Sequence, residues 1–213
     1  MLLQIRWHGH ACFEITNKLT IVTDPHDGSS IGIQKPTVEG DIILVSHDHY
    51  DHNSVKTVKK DDSLVIKDVG KRVVKGVPIE GILSYHDEAH GKKRGENIIF
   101  KFTIDDITFC HLGDLGHEPD EELLKKIGEV DVLFIPVGGT FTLDADGAWR
   151  TMQKIKPGIT VPMHYKIPGL SLPISDLDPF LAKNRFKVLY VGNEIDIEKE
   201  ELPKEREIWI FTL

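Results

Sequence analysis

The sequence contains few cysteines and no long apolar run, and these shortages limit the classes to which the protein can belong. Its two cysteines, Cys12 and Cys110, each lie in an apolar segment with strand character. We therefore expect two buried free thiols in a reducing compartment, with a disulfide between them as the alternative. No window approaches the length of a membrane span, and the apolar stretch in MLLQIRWHG (1–9) is too short for a signal peptide, so we expect a cytoplasmic protein.

The sequence also contains fewer basic than acidic residues. The 34 acidic residues outnumber the 26 lysines and arginines, which gives a formal net charge of −8. Such a chain has no broad basic surface for duplex DNA or an anionic membrane, so we expect no DNA partner and disfavour an RNA partner. One short basic segment, GKKRG at 91–95, remains. The length of 213 residues, with 40% hydrophobic and 28% charged residues, is typical of one globular domain spanning 1–213.

Most apolar segments have the composition and alternation of β-strands. They occupy 2–7, 11–15, 19–23, 41–46, 97–104, 106–112, 131–137, 158–162, 186–191 and 206–211, with shorter segments between 64 and 85. Asp105 and Asp106 separate two of them as the expected turn of a β-hairpin. Helical patterns occupy 53–60, 119–130, 144–156 and 175–184. Because the first 40 residues contain no helical pattern, the order favours a sandwich of two sheets flanked by helices over a doubly wound parallel sheet.

Histidine is the residue type that the chain uses most unusually, with 11 in total and a dense group in SHDHYDH at 46–52. The group follows the continuous apolar strand DIILVS directly, so it lies at the carboxyl end of a buried strand. His47 and His49 are two residues apart and project to the same side of an extended backbone, while Asp51 and His52 lie where the chain turns. Imidazole and carboxylate together suit zinc, manganese or iron, and the alternative is a polar loop that is rich in histidine by chance.

More ligand-type side chains follow later strands of the chain. The segments SYHDEAHG (84–91), CHLGDLGH (110–117) and VPMHYK (161–166) each lie at or just past a strand end. Strand ends on one edge of a sheet are where a site can be assembled from distant parts of a chain. The 46–52 segment alone could supply one metal ion, and ligands from the later segments favour two.

The combined pattern resembles the metallo-β-lactamase fold superfamily: H-x-H-x-D-H after a strand, then a lone His, then Gly-Asp, then a final His. The segments GHACFEI (9–15), IVTDP (21–25), HLGDLG (111–116), PVGGTFTLDADGA (136–148) and VPMHY (161–165) resemble its small branch of ascorbate-6-phosphate-lactonase-like and uncharacterised metal-dependent hydrolases. The resemblance implies an α/β (α+β) fold, a four-layer αββα sandwich of two mixed β-sheets flanked by helices. Since this scaffold hosts many chemistries, the resemblance is weak evidence for any one substrate.

The resemblance also implies a set of metal ligands. It assigns one ion to His47, His49 and a histidine in 84–91, and a second ion to Asp51, His52 and His164, with Asp114 bridging both. As the third ligand of the first ion we favour His86 over His90, because His86 directly follows a strand and His90 belongs to the glycine-rich loop after it. His90 would then be a substrate-loop residue or a solvated one.

Several other residues can be interpreted in two ways. They either support the site or bind substrate, or they have only a structural role. Asp24 is expected to hydrogen-bond the histidine loop or a ligand imidazole, as carboxylates behind metal ligands do. His10 faces the site or serves packing only. His111 is expected to be a buried, hydrogen-bonded histidine, while Lys92 and Arg94 either hold an anionic substrate or belong to a solvated loop.

The reaction that these assignments imply is metal-dependent hydrolysis. Two divalent ions, zinc by default with Mn²⁺ or Fe²⁺ as alternatives, could hold a bridging hydroxide that Asp51 orients as the catalytic residue. The expected substrate is an ester, lactone or amide of a small molecule, including phosphorylated and other anionic ones. The alternatives are a phosphodiesterase of phospholipase or nuclease type and a metal-binding or sensing protein without turnover. The oligomeric state stays open, because nothing in the sequence specifies an assembly.

Overall fold

The structure, a computed structural model, describes residues 2–213, which form two mixed β-sheets packed face to face. Strands β1 to β14 comprise Leu3–Trp7, Phe13–Thr16, Thr20–Thr23, Gly40–Leu44, Lys59–Ile66, Gly70–Val74, Val77–Tyr85, Glu96–Ile104, Ile107–His111, Val132–Pro136, Ile159–Met163, Lys187–Gly192, Glu194–Ile197 and Glu207–Phe211. Helices α1 to α3 comprise Glu121–Ile127, Ala145–Ile155 and Asp178–Leu181, and single 3-10 turns occupy Val55–Thr57 and Lys199–Glu201. Within residues 2–213 no helix is long and apolar enough to cross a membrane.

Strand order and direction agree with the expected sandwich. The six-stranded sheet has the order β13-β1-β2-β3-β4-β5 and the eight-stranded sheet has the order β12-β14-β11-β10-β9-β8-β7-β6. The first is antiparallel from β13 to β3 and parallel from β3 to β5. The second is parallel from β12 to β9 and antiparallel from β9 to β6. The prediction of two mixed sheets in a metallo-β-lactamase-like α/β sandwich is confirmed.

The main core lies between the two sheets. Aromatic rings from both sheets meet there: the centroids of Phe13 on β2 and Phe134 on β10 are 4.3 Å apart, and Phe109 and Phe102 continue the stack. Every residue of β10 and β11 is buried, because these central parallel strands have the other sheet on one face and helices on the other. Both cysteines are buried and free, as predicted.

The helices cover the eight-stranded sheet. Asp120 and Asp144 each accept a hydrogen bond from a backbone N–H in the first turn of α1 and α2, so both helices begin at a capping carboxylate. Trp149 of α2 is buried and stacks on Phe180 and Phe186, with ring centroids 5.3 and 5.9 Å away. On the other side of the sandwich, the outer face of the six-stranded sheet carries a small apolar cluster. That cluster is covered by the 3-10 turn Val55–Thr57 rather than by an α-helix.

All four predicted helices are wrong or too long: α1 covers only 121–127 of 119–130, α2 covers 145–155 of 144–156, and the other two differ more. In 53–60 only Val55–Thr57 forms a 3-10 turn, and β5 begins at Lys59 because its backbone pairs with Gly40 of β4. In 175–184 only Asp178–Leu181 is helical. The start of the predicted segment is bound to another loop instead, since the Ser175 N–H donates to Gly138 O at 2.8 Å. In both places a contact between distant parts of the chain overrides the local preference.

The predicted β8–β9 hairpin is confirmed, and its turn is under backbone strain. Ile104 pairs with Ile107, and the two residues between them, Asp105 and Asp106, have φ values of 47° and 61°. A two-residue turn of this kind needs positive φ at both positions, which glycine adopts without strain. We expect Asp106→Gly to raise the free energy of unfolding by about 0.5–1 kcal/mol in urea titration. Asp106→Val should lower it, and equal stability of the two variants would contradict the strain.

Candidate metal centre

Strand directions bring the polar residues of the six-stranded sheet to one edge. β1, β3 and β4 run in the same direction, because β2 is antiparallel to both β1 and β3 while β4 is parallel to β3. Their carboxyl ends lead to His10, Asp24 and the segment 47–52. This is the edge at which α/β proteins place their sites.

The eight-stranded sheet contributes a second set of residues at the same place. β7, β9, β10 and β11 share one direction, since β8 is antiparallel to both β7 and β9. His86 follows β7, Asp114 follows β9 and His164 follows β11. The predicted ligands therefore come from strand ends of both sheets and meet across the sandwich.

One group of potential ligands consists of His47, His49 and His86, whose ligand atoms all lie within 4.8 Å of one another. His47 and His86 are buried, whereas His49 is exposed, so this side of the centre is open to solvent. The His47 Nδ1 atom lies 2.9 Å from Ser46 Oγ. Its buried Nε2 atom has no hydrogen-bond partner within residues 2–213 and lies 3.7 Å from Asp114 Oδ2. A cation bound there would satisfy that nitrogen.

A second group consists of Asp51, His52 and His164 together with His10, again with ligand atoms within 4.8 Å. All four are buried. Asp51 and His52 lie in a turn closed by the His52 N–H, which donates to His49 O at 3.0 Å. The Asp51 carboxylate and the His52 imidazole therefore project from consecutive turn positions rather than from the start of a helix.

The Asp114 carboxylate lies between the two groups. Its Oδ2 atom is 3.1 Å from His86 Nε2 and 3.3 Å from His164 Nε2, and its Oδ1 atom is 3.3 Å from His52 Nε2. The His47 Nε2 atom is 3.7 Å from Oδ2. Asp114 thus contacts residues of both groups, which is the position expected of a carboxylate shared by two ions.

Asn97 positions Asp114 and was not identified from the sequence. Its buried side chain accepts from the Asp114 N–H at 2.9 Å and donates to Leu112 O and to Ser84 Oγ. Gly113, with φ of 57°, passes so close that a Cβ atom would lie 2.4 Å from Asn97 Oδ1. A single polar residue at the start of an apolar strand carries no local signal of this role, because its partners come from other strands.

Asp24 supports the histidine segment by three hydrogen bonds. The buried carboxylate accepts from the Ser46 N–H at 2.7 Å, from Ser46 Oγ at 2.6 Å and from His52 Nδ1 at 3.0 Å. These contacts agree with the supporting role expected from the sequence. The backbones of Asp24, His10 and His164 have φ values of 38°, 56° and 53°, a left-handed region that is uncommon outside glycine. Such strain is frequent at functional sites.

The electrostatics of the centre are those of a cation site. Burial lowers the pKa of His10 and of His47 to about 3, which keeps both rings neutral. Burial disfavours a charged His52, but the carboxylates of Asp114 and Asp51 raise the pKa of His52 well above its ordinary value. Burial likewise opposes the ionisation of Asp51 and Asp114, yet the neighbouring histidines hold the pKa of each well below its usual range. The ionised carboxylates and the neutral His10 and His47 rings are in the forms that bind divalent metals, whereas His52 would exchange its proton for the bound cation.

Several predicted residues lie outside the two groups. His111 is buried, with Nε2 donating to Ala11 O at 2.9 Å and Nδ1 accepting from the Gly113 N–H at 3.1 Å. Both of its nitrogens are satisfied, as expected for a structural histidine. His90 is exposed, with its ring edge-to-face against Tyr85, while His86 lies inside the centre. Lys92 is exposed.

Arg94 is held at the rim of a cavity. Its guanidinium lies 4.7 Å from the centroid of the Phe141 ring and donates to Thr140 O at 3.2 Å. The cavity, of about 340 Å³, is lined by Arg94, Lys67, His47 and His49 together with acidic residues. Asp87, which was not identified from the sequence, stabilises the loop that carries Arg94. Its buried carboxylate accepts hydrogen bonds from the backbone N–H groups of residues 89, 91, 93 and 94.

Comparisons with known proteins agree with this architecture. Residues 4–164 match the family described as the beta-lactamase superfamily domain. A UPF0173 metal-dependent hydrolase of Thermoplasma volcanium is 29% identical over 229 residues, covering 96% of this chain and 100% of that protein. A crystal structure of a metallo-β-lactamase superfamily protein from Thermotoga maritima has a TM-score of 0.81 at 36% identity and covers 98% of each chain. The metallo hydrolase Igni18 of Ignicoccus hospitalis shares the fold, with a TM-score of 0.69 at 20% identity over 93% of this chain and 99% of that one. The histidine motif, the sandwich of two mixed sheets and these matches together establish that the chain belongs to the metallo-β-lactamase superfamily.

Proposed function

We propose that the protein is a metal-dependent hydrolase with a site for two divalent ions. The position of Asp114 carries the proposal, because one buried carboxylate contacts imidazoles of both ligand groups. His47, His49 and His86 would hold one ion. Asp51, His52 and His164 would hold the other, with Asp114 shared. Zinc is the default for this donor set, and manganese or iron suits the same ligands.

When bound, the ions would supply Lewis acidity and lower the pKa of coordinated water towards neutrality. The chain's own residues supply the rest. We assign Asp51 the role of orienting the attacking water, since its ionised carboxylate lies in the second ligand group with Oδ2 3.5 Å from His52 Nε2. Ser46 and Asp24 fix the tautomers and orientations of His47 and His52 from behind.

The substrate we propose is a small ester, lactone or amide with an anionic group, including phosphorylated molecules. The cavity of about 340 Å³ next to His47 and His49 is of the size that takes a small molecule. Arg94 and Lys67 at its rim can pair with a phosphate or carboxylate. The exposed His49 keeps the centre open, which favours turnover over a sealed binding protein.

The relatives support the reaction class. The Thermoplasma protein and others across archaea and bacteria are named metal-dependent hydrolases. The same cationic residues also suit a phosphodiester, which is the second candidate.

Metal analysis of protein purified without added metal, followed by a substrate panel, tests the proposal. We expect two ions per chain and turnover of carboxylic esters or lactones that a chelator abolishes and the same metal restores. Turnover of bis-(p-nitrophenyl) phosphate alone would favour the phosphodiesterase. Two bound ions without turnover of any ester, lactone, amide or phosphodiester would contradict a hydrolase.

His86 and His90 provide a matched pair of variants for the ligand assignment. We expect His86→Ala to lose one of two ions and to lower kcat/KM by at least about 100-fold, because a first-ion ligand is removed. His90→Ala should keep both ions, since its ring lies exposed against Tyr85. Metal content and kinetics of the two variants decide the point. Loss of an ion from His90→Ala with retention in His86→Ala would reverse the assignment.

A further inference from the structure

His10 lies among the residues proposed to hold the second ion, with its ligand atom within 4.8 Å of those of Asp51, His52 and His164. Its Nε2 atom is 3.0 Å from Asp51 Oδ2 and 3.2 Å from His52 Nε2. We propose that His10 is a fourth protein ligand of the ion held by Asp51, His52 and His164. This inference rests on the two-ion site of the proposed function and deepens it.

The chain holds the His10 ring in this place from both sheets. Gly9 and His10 have φ values of 91° and 56°, which turn the β1–β2 connection sharply inward. The His10 carbonyl accepts from Trp7 Nε1 at 3.1 Å and from the His164 N–H at 3.2 Å. The rings of His10 and His164 are 4.1 Å apart between centroids. The two residues are thus locked to each other through the backbone, and both rings face Asp51 and His52.

Two ring nitrogens and one carboxylate oxygen converge at this point. His10 Nε2 and His52 Nε2 are both within 3.5 Å of the same Asp51 oxygen and 3.2 Å from each other, so at most one of the two nitrogens can direct a proton at the other. Protons on both nitrogens would repel each other across 3.2 Å. A cation between the three atoms attracts all of them, as neutral imidazole and ionised carboxylate are metal ligands. His10 Nδ1 has no hydrogen-bond partner within residues 2–213.

Other buried histidines show what a structural role looks like here. His26 Nε2 donates to His8 O at 3.0 Å, and His111 Nε2 donates to Ala11 O at 2.9 Å. In both residues, the ring Nε2 donates its hydrogen bond to a backbone carbonyl. His10 Nε2 instead points at the ligand atoms of other residues. It shares a group with Asp51, His52 and His164 in which all ligand atoms lie within 4.8 Å of one another.

The consequence is an asymmetric centre. The ion beside His10 would have four protein ligands besides the shared Asp114, all from buried side chains. The ion beside His47 would have three, one of which is the exposed His49. Catalytic metal sites keep an open position, and closed ligand sets are typical of structural sites. The substrate would therefore bind from the His49 side, where the cavity with Arg94 and Lys67 lies.

A direct test uses protein labelled with ¹⁵N-histidine and loaded with ¹¹³Cd²⁺. A metal–nitrogen bond gives scalar coupling between the two nuclei, whereas a hydrogen bond to a neighbouring ligand does not. We expect His10 Nε2 to couple to one cadmium, with His52 and His164 coupled to the same ion and His26 uncoupled. His10→Gln identifies the His10 signal by its disappearance. Coupling of His52 and His164 without coupling of His10 would overturn the inference and leave the two-ion site intact.

Zinc competition with a chromophoric chelator is a second test of whether His10 is a metal ligand or only a hydrogen-bond partner of Asp51. Gln can donate to Asp51 in place of His10 but supplies no ligand nitrogen, so His10→Gln and His10→Ala should both weaken one of the two zinc ions by about tenfold or more. His26→Gln, an equally buried control, should leave both affinities unchanged. Wild-type affinity in His10→Gln would show a positioning hydrogen bond and overturn the inference. Failure of the wild-type protein to bind two ions would overturn the inference and the two-ion site together.

Discussion

Asp114→Ala will release both metal ions and reduce hydrolysis to background while leaving the sandwich folded. Four imidazole nitrogens, from His47, His52, His86 and His164, lie 3.1–3.7 Å from the Asp114 carboxylate. In the proposed two-ion site, removing it would delete a ligand shared by both ions and a negative charge that offsets theirs. Loss of one ligand at each position is expected to lower metal affinity by at least about 100-fold. Metal content after dialysis, with far-UV circular dichroism to confirm folding, measures the effect.

Asp48 is the matched control for this variant. It lies within the histidine segment, but its side chain is exposed and bonds only to Asn53 among the described residues. Asp48→Ala should therefore keep two ions per chain. Two ions retained by Asp114→Ala would refute the shared-carboxylate assignment.

Asp24→Ala should produce the largest loss of stability at the site. Three buried donors, the Ser46 N–H, the Ser46 hydroxyl and His52 Nδ1, would lose their acceptor where water cannot replace it. Breaking a buried, hydrogen-bonded ion pair of this kind costs about 3–5 kcal/mol. That is a large fraction of the roughly 5–15 kcal/mol by which a domain is stable. Urea unfolding in excess chelator measures it without a contribution from bound metal.

Two further variants test the cause of this loss. Asp24→Asn keeps one acceptor oxygen and should be destabilised less than Asp24→Ala. Asp27→Ala removes an exposed carboxylate that bonds to the neighbouring Ser30 and should change stability by about 1 kcal/mol or less. If Asp24→Ala unfolded at the same urea concentration as Asp27→Ala, the network behind the histidines would contribute little to folding.

Local pattern was sufficient for most strands but missed β13 and the first half of β5, and it failed for the first helix. Runs such as VLFIP in β10 and ITVPM in β11 are buried throughout, and a continuous apolar run predicts that directly. Residues 59–63 (KKDDS) are polar, and nothing in their order indicates a strand. They become one because Lys59 pairs with Gly40 and Ser63 Oγ donates to Gly40 O. Such pairing is visible only once β4 and β5 are neighbours.

Some residues of the candidate site could likewise be identified from local sequence, and others could not. SHDHYDH after an apolar strand is a local pattern, and so are the later segments with His86, Asp114 and His164. Asp24 and Arg94 could also be named from their segments, although their partners could not. Asn97 and Asp87 were missed, because one polar residue in a strand and one in a loop resemble many others.

By itself, then, the sequence determined which chemical groups follow which strand ends, because the order of neighbouring residues determines strand periodicity and burial. Only the tertiary structure decided which of those groups meet. It brought His86 rather than His90 into the centre, set Asp114 between two groups, and placed His10 Nε2 3.2 Å from His52 Nε2. The physical reason is that strand order and direction in two packed sheets determine which carboxyl ends share an edge. Those pairings join residues more than 100 positions apart, such as His10 and His164, whose contact no local pattern encodes.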